Sequence, residues 1–224
     1  MTSEARAAIE SADEVLYLVT DPISAEGIER LNPNARPLAD CYVEGAHRRD
    51  AYARMVEEIL TPVRSGRRVC AAFYGHPGVF VLPSHQAIEQ ARREGYSARM
   101  LPGVSAEDCL FADLGVDPAR TGCQSYESTR FLEDRPVVEP RAALVLWQIG
   151  VAGSSNHSAE PHAPALDALV RVLCTIYGDD HEVVVYEASR YAGVDPLVRR
   201  VPLNGLAKAV TPASTLYVPP LARS

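Results

Sequence analysis

Apolar positions follow two rhythms along this chain. Over 49–64 they recur three and four apart, at Tyr52, Met55, Val56, Ile59, Leu60 and Val63. That spacing predicts a helix with one buried stripe, stopped by Gly66. Elsewhere apolar residues come in short unbroken runs, at 15–19, 69–73 and 142–147, the last ending in the polar Gln148. These are too short for helices and predict buried strands. Further helices are expected over 2–12, 24–31 (capped by Ser24), 84–93, 106–114 (capped by Ser105), 128–132 and 165–177. Further strands are expected over 38–42, as an edge strand, and over 98–101, 182–186, 198–203 and 214–218. Asn204-Gly205 reads as a hairpin-like turn.

Strands that alternate with helices predict an α/β fold with a mostly parallel sheet in the first half. The second half carries more strand and predicts a mixed sheet. The turn-rich stretch 115–124 is taken as the boundary, giving an N-terminal α/β domain over 13–118 and a C-terminal α/β domain over 119–224. Residues 150–164 form a long polar loop, a candidate lid.

Composition narrows the partners. The chain has 224 residues, 47% hydrophobic and 23% charged, ordinary for a globular protein. A net charge of −7 argues against a nucleic-acid scaffold. No apolar run reaches membrane-spanning length, and the N-terminus lacks a signal-peptide core. Five cysteines without a CxxC pair suit a reducing cytoplasm, with Cys70 and Cys109 as inert core thiols. No histidine or carboxylate spacing suggests a metal site, and His157, His162 and His181 fall in polar stretches that predict solvation. Glu107 and Asp108 belong to a helix first turn.

Chemistry concentrates where strands stop. The run 69–73 breaks into Tyr74-Gly75-His76-Pro77-Gly78, where two glycines permit positive φ and close backbone approach. Ligands of open α/β sheets sit at such strand ends. The pattern is neither GxGxxG nor a Walker loop. Arg48 and Tyr52, four residues apart, share one face at the start of the long helix. A guanidinium beside a phenol favours the phenolate, so Tyr52 is expected below the ordinary value of about 10, as a candidate general base. A surface cation–π contact, or a core tyrosine beside a solvated arginine, accounts for the same pair.

The residues 73–80 (Phe-Tyr-Gly-His-Pro-Gly-Val-Phe), Pro83-Ser84-His85 and 100–109 (Met-Leu-Pro-Gly-Val-Ser-Ala-Glu-Asp-Cys) form a wider pattern. It continues with Tyr42, Arg48 and Tyr52, then Gln148 after Leu-Val-Leu-Trp, 186–191 (Tyr-Glu-Ala-Ser-Arg-Tyr) and 212–220. It resembles the borosin peptide α-N-methyltransferases, which belong to the tetrapyrrole-methylase-like (class III) S-adenosylmethionine-dependent methyltransferases. The resemblance implies a two-domain fold with the cofactor in the interdomain cleft. It implies iterative methylation of backbone amide nitrogens in a ribosomally made precursor, with S-adenosylhomocysteine as product. It assigns catalysis to Arg48, Tyr52 and Tyr74, with Tyr42 in support. It assigns cofactor contacts to Tyr74, His76, Val79, Ala106, Gln148, Ala188, Ser214 and Thr215.

Fungal members of that group continue past the 214–218 strand into their own peptide substrate. Here the sequence stops at Ser224, which resembles the split bacterial type. A separate precursor bound in trans is then expected, on a homodimer that forms a heterotetramer with it. Two other readings stand beside this one: a small-molecule methyltransferase of the tetrapyrrole kind, and an idle member that only binds a peptide.

Overall fold

The first apolar run becomes β1 (Glu14–Leu18), the middle strand of a three-stranded sheet in a computed structural model. The structure describes residues 1–19, 21–43, 47–153, 163–191 and 193–222. The chain divides into two units, Met1–Ser105 and Ala106–Ser224.

In the first unit β1 pairs in parallel with β2 (Ala35–Pro37) on one side and β3 (Val69–Phe73) on the other. Helix α1 (Ser3–Ser11) precedes β1, and Thr2 caps it by accepting the Ala5 N–H. Helix α2 (Pro22–Leu31) follows. Its cap is Asp21 and not Ser24: the Asp21 carboxylate accepts the Ser24 N–H at 2.8 Å, and Pro22 opens the helix with its ring-fixed φ. The long periodic stripe is α3 (Arg48–Arg64), closed by Gly66 at φ 80°. It buries Met55 and Leu60 completely against Leu16 and Leu38. Each such side chain contributes about 1.5–3 kcal/mol by leaving water. Helix α4 (Leu82–Arg93) packs beside it.

Two expected strands are absent. Over 38–42 the chain makes a short 3-10 helix, Ala39–Cys41, held by Cys41 N–H to Leu38 O and Tyr42 N–H to Ala39 O. The edge strand sits three residues earlier, and Pro37 is tolerated there because, among the described residues, no strand pairs on the outer side. Over 98–101 no strand forms, because the Ala98 carbonyl is taken by the Arg92 guanidinium at 2.9 and 2.7 Å.

The second unit is a five-stranded mixed sheet in the order β4-β5-β8-β6-β7: β4 (Cys123–Glu127), β5 (Ala143–Trp147), β6 (Glu182–Glu187), β7 (Leu197–Pro202) and β8 (Thr215–Val218). Only β4 and β5 run parallel; β8 is inserted antiparallel to both β5 and β6. Asn204-Gly205 therefore makes no hairpin between β7 and β8, which are not neighbours. It lies in a 3-10 helix, Leu203–Lys208. Strand β4 is not among the expected strands, and its first two residues fall in the stretch read as turn; its side chains are mostly polar, and Ser125 accepts the Trp147 indole N–H at 2.8 Å. Helix α5 (Ala106–Leu114) covers one face through Leu110, which meets Val145, Trp147 and Tyr186. These contacts group α5 with the second unit, ahead of the expected boundary at 118–119. On the other face α6 (Ser128–Asp134) and α7 (Ala163–Tyr177) bury Phe131, Leu169 and Leu173. His181 is not simply solvated: its ring stacks on Tyr177, and its Nε2 lies 2.9 Å from Pro219 O. Most of the loop expected as a lid, with His157 and His162, lies outside the described residues. Among the described residues no helix is long and apolar enough to cross a membrane.

Candidate active site

All three strands of the first sheet are parallel, so their carboxyl ends share one edge. Tyr74 is the first residue beyond β3, and its N–H donates to Leu18 O at 3.1 Å. Beyond β2 the chain turns through the 3-10 helix and delivers Tyr42. Helix α3 then begins at Arg48, with His47 as cap: its Nδ1 accepts the Arg49 N–H at 3.1 Å. One helical turn further, Tyr52 lies on the face of Arg48.

These four side chains meet. The Tyr52 oxygen accepts hydrogen bonds from both Tyr42 and Arg48, and Tyr74 stands close enough to act electrostatically on Tyr42 and Tyr52. Tyr42 and Tyr52 pack partly into the core beside α3, whereas Tyr74 is 55% exposed. The grouping is as expected; the sign of the Tyr52 perturbation is not. Burial pushes the Tyr52 phenol above its ordinary value, and this outweighs the pull of Arg48 in the other direction. Burial likewise pushes Tyr42 up to about 12. Of the two phenols, Tyr52 is the one whose oxygen receives donors, so it is the site where negative charge is best held.

The bend after Tyr74 is built to be tight. Gly75 has φ 71°. The Val79 N–H closes a turn onto His76 O at 3.0 Å, and His76 Nδ1 accepts the Gly78 N–H at 2.9 Å. Ser84 donates to Pro77 O, and His85 Nε2 lies 3.0 Å from Gly78 O, so the start of α4 holds the bend from below. Gly103 presses against it: a methyl group there would lie 2.5 Å from Gly75 O. Tyr74, His76 and Val79 are thereby fixed relative to one another.

In the second unit the expected cofactor residues are joined by strand register. The pairs Leu146↔Leu216 and Tyr186↔Thr215 set the ends of β5 and β6 beside the start of β8. Gln148, Ala188, Ser214 and Thr215 therefore share one sheet edge. Gln148 adopts φ 59°, and its carbonyl accepts from Ser128 Oγ at 3.1 Å. Ser214 is fully buried and Thr215 nearly so. Ala106 heads α5 and is not joined to this edge by register. Two residues that the sequence reading did not single out, Glu187 and Thr211, tie the edge together. The available signal was a glutamate closing a strand whose interior, Val183, Val184, Val185 and Tyr186, is apolar.

Comparison with known proteins identifies the fold. The model of the Tetrapyrrole (Corrin/Porphyrin) Methylases matches residues 1–194. The chain belongs to this family. A cobalt precorrin-4 methyltransferase of cobalamin biosynthesis superposes with a TM-score of 0.65 at 16% identity, over 98% of this chain and 88% of that one. A diphthine synthase superposes with a TM-score of 0.61 at 17% identity, over 98% and 84%. Curated relatives of this tetrapyrrole methylase are closer in sequence. The methyltransferase/ribosomally synthesized cyclic peptide dendrothelin A precursor of Dendrothele bispora is 44% identical over 230 residues, covering 100% of this chain and 55% of that protein. The corresponding omphalotin A precursor of Omphalotus olearius has the same identity and coverage. A type I borosin cyclic peptide precursor of Coprinopsis marcescibilis is 42% identical over 234 residues, covering 100% and 59%. The chain thus spans about half the length of these relatives. They are fungal and named as methyltransferase and precursor in one chain, whereas a split bacterial type was expected.

Proposed function

We propose that this protein transfers methyl groups iteratively from S-adenosyl-L-methionine to backbone amide nitrogens of a ribosomally made peptide. The observation that carries the reading is the Tyr52 oxygen, hydrogen-bonded by Arg48 and Tyr42 beside Tyr74. Relatives named as methyltransferase and cyclic-peptide precursor support the peptide substrate.

The residues present fit the donor. Its sulfonium is a cation, and the exposed Tyr74 ring offers a π face to a cation. Its nucleoside requires neutral hydrogen-bonding groups and close backbone approach; Gln148 and Thr215 supply polar side chains, Ala188 a small one and Ser214 its backbone, with His76, Val79 and Ala106 as further contacts. When bound, the donor supplies an activated methyl group, and S-adenosylhomocysteine is left as product.

The work left to the chain is activation of the amide. Its nitrogen lone pair is delocalised into the carbonyl, so the amide is a poor nucleophile until its proton leaves. Tyr52 takes that proton at its phenolic oxygen. A half-buried phenol with a raised value is seldom ionised, but once ionised it is the stronger base, better matched to so weak an acid. Tyr42 and Arg48 hold the charge on Tyr52 until the proton arrives. The Arg48 guanidinium also stabilises charge developing on the substrate carbonyl oxygen. Tyr74 orients the reacting groups.

The test is incubation with S-adenosyl-L-methionine and a precursor offered as a separate chain, followed by intact mass spectrometry. Mass steps of one methylene on the peptide, lost in Tyr52→Phe while donor affinity is kept, are the expected result. Donor binding with no transfer to any peptide overturns the reading in favour of an idle peptide-binding member; transfer only to a tetrapyrrole favours the small-molecule reading. Transfer to the separate chain also supports the trans arrangement. Light scattering of the mixture checks the proposed homodimer with one precursor per protomer.

A further inference from the structure

We propose that Glu187 is the positioning residue of the donor-binding edge: one carboxylate locks the strand ends that carry Gln148, Ala188, Ser214 and Thr215. The proposal rests on the reading that this edge binds S-adenosyl-L-methionine.

Glu187 is the last residue of β6, directly before Ala188. Its Oε1 accepts two hydroxyls at once, from Thr211 Oγ1 at 2.5 Å and Ser214 Oγ at 2.9 Å. Each hydroxyl is in turn oriented by the backbone of the same turn. Ser214 Oγ accepts the Thr211 N–H at 2.9 Å, and Thr211 Oγ1 accepts the Ala213 N–H at 3.2 Å. The Ser214 N–H closes the turn onto Thr211 O at 3.1 Å. The turn 211–214, which leads into β8, is thus fastened to the end of β6 by one oxygen atom.

The same turn grips the end of β5. A methyl group at Gly150 would lie 2.0 Å from Thr211 O and 2.7 Å from Pro212 Cα, so these backbones touch where only glycine fits. Gly150 lies two residues beyond Gln148 in the short 3-10 helix Ile149–Val151. Displacing Thr211 therefore releases the segment after Gln148 as well as the segment before Thr215. Ser214 cannot offer its side chain to a ligand while it serves this network: it is fully buried, with its hydroxyl on Glu187. Its contribution to a bound donor then comes through the backbone whose position the carboxylate fixes. Hydrogen bonds to an ionised acceptor are stronger than neutral ones, which suits a carboxylate to this task.

The decisive measurement is calorimetric binding of S-adenosylhomocysteine to the wild-type protein, Glu187→Ala, Glu187→Gln and Thr211→Val. Melting curves confirm that each variant is folded. Glu187→Ala loses both hydroxyl contacts, and affinity falls about tenfold or more. Glu187→Gln keeps an oxygen that accepts both hydroxyls and stays within about threefold, while Thr211→Val falls between. With peptide substrate, donor KM rises in Glu187→Ala while kcat at saturating donor stays within about twofold. If wild type binds and Glu187→Ala binds equally well, the positioning role is wrong and the proposed function stands. If Glu187→Gln loses as much as Glu187→Ala, retaining one acceptor oxygen does not hold the edge and the positioning role is again overturned. If the wild type itself does not bind, the donor reading fails and this inference with it. Should Glu187→Ala not fold, Glu187→Gln and Thr211→Val decide the matter by the same comparison.

Discussion

On the proposed function, the sharpest consequence of the half-buried phenol pair is a rate that climbs with pH far beyond neutrality. Burial holds Tyr52 above the ordinary phenol value despite Arg48. An ordinary phenol, near 10, is already only about one part in a thousand ionised at pH 7. Tyr52 is ionised still less, and its ionised fraction grows about tenfold per pH unit through pH 9 and beyond. Single-turnover methylation at saturating donor and peptide should therefore rise about a hundredfold between pH 7 and pH 9, with no plateau in that range. Tyr52→Phe should remove the slope and lower the rate by about two to four orders of magnitude, the usual worth of a positioned base. Tyr42→Phe removes one donor from the Tyr52 oxygen and should move the rising limb upward by about one pH unit. Quench-flow with mass-spectrometric readout across this range is the assay. A plateau below pH 9 would show a base that ionises more easily than a phenol held in the partly desolvated position of Tyr52. A slope that survives in Tyr52→Phe would show that the amide proton leaves by another route.

Two further outcomes concern stability. The Tyr177 hydroxyl is buried with no hydrogen-bond partner among the described residues, while its ring stacks on His181 at 5.1 Å. Tyr177→Phe should keep the packing, relieve about 1 kcal/mol of desolvation and raise the melting temperature by about 2–4 °C; a fall of that size would show that the hydroxyl is satisfied in solution. Alkaline unfolding should be steep. The Glu29 hydrogen bond and then burial push Tyr17 up to about 12, and burial does the same to Tyr42 and Tyr177. Folded values above the unfolded value of about 10 mean that their stability is intact below pH 10 and lost as pH rises toward 12. Thermal melts at pH 9, 10 and 11.5 check this, and a constant melting temperature to pH 11.5 refutes it.

What the sequence made legible divides along physical lines. Strands with continuous apolar runs and the stripe of α3 were readable because burial writes itself into local periodicity. Strand β4 was not, since an edge strand with polar residues at Gln124, Ser125 and Glu127 carries little such signal. The cap of α2 was misread because Asp21 and Ser24 are both good caps, and only backbone geometry decides between them. The Arg48–Tyr52 spacing predicted contact correctly and the shift of the phenol wrongly, for one reason. Spacing on a helix reveals the favourable charge, whereas desolvation depends on what the rest of the unit packs around Tyr52. A perturbed pKa is a difference between those two effects, and the local sequence holds only one of them.

The second sheet shows why the candidate site residues there are harder still to read. The familiar expectation places ligands at the carboxyl ends of parallel strands. Gln148 and Ala188 obey it, following β5 and β6. Ser214 and Thr215 stand at the amino end of β8, where that expectation would not look. They join the others because β8 is threaded antiparallel between β5 and β6, which brings its beginning to the edge where its neighbours finish. An antiparallel insertion also means that three chain segments arrive at one edge from opposite directions, with no common loop to hold them. Glu187 meets that need: a single oxygen receives both hydroxyls of the turn entering β8, and the glycine after β5 lets the same turn press close. A carboxylate closing a strand with an apolar interior, followed some two dozen residues later by a threonine and a serine, is thus the trace that such an edge leaves in the sequence.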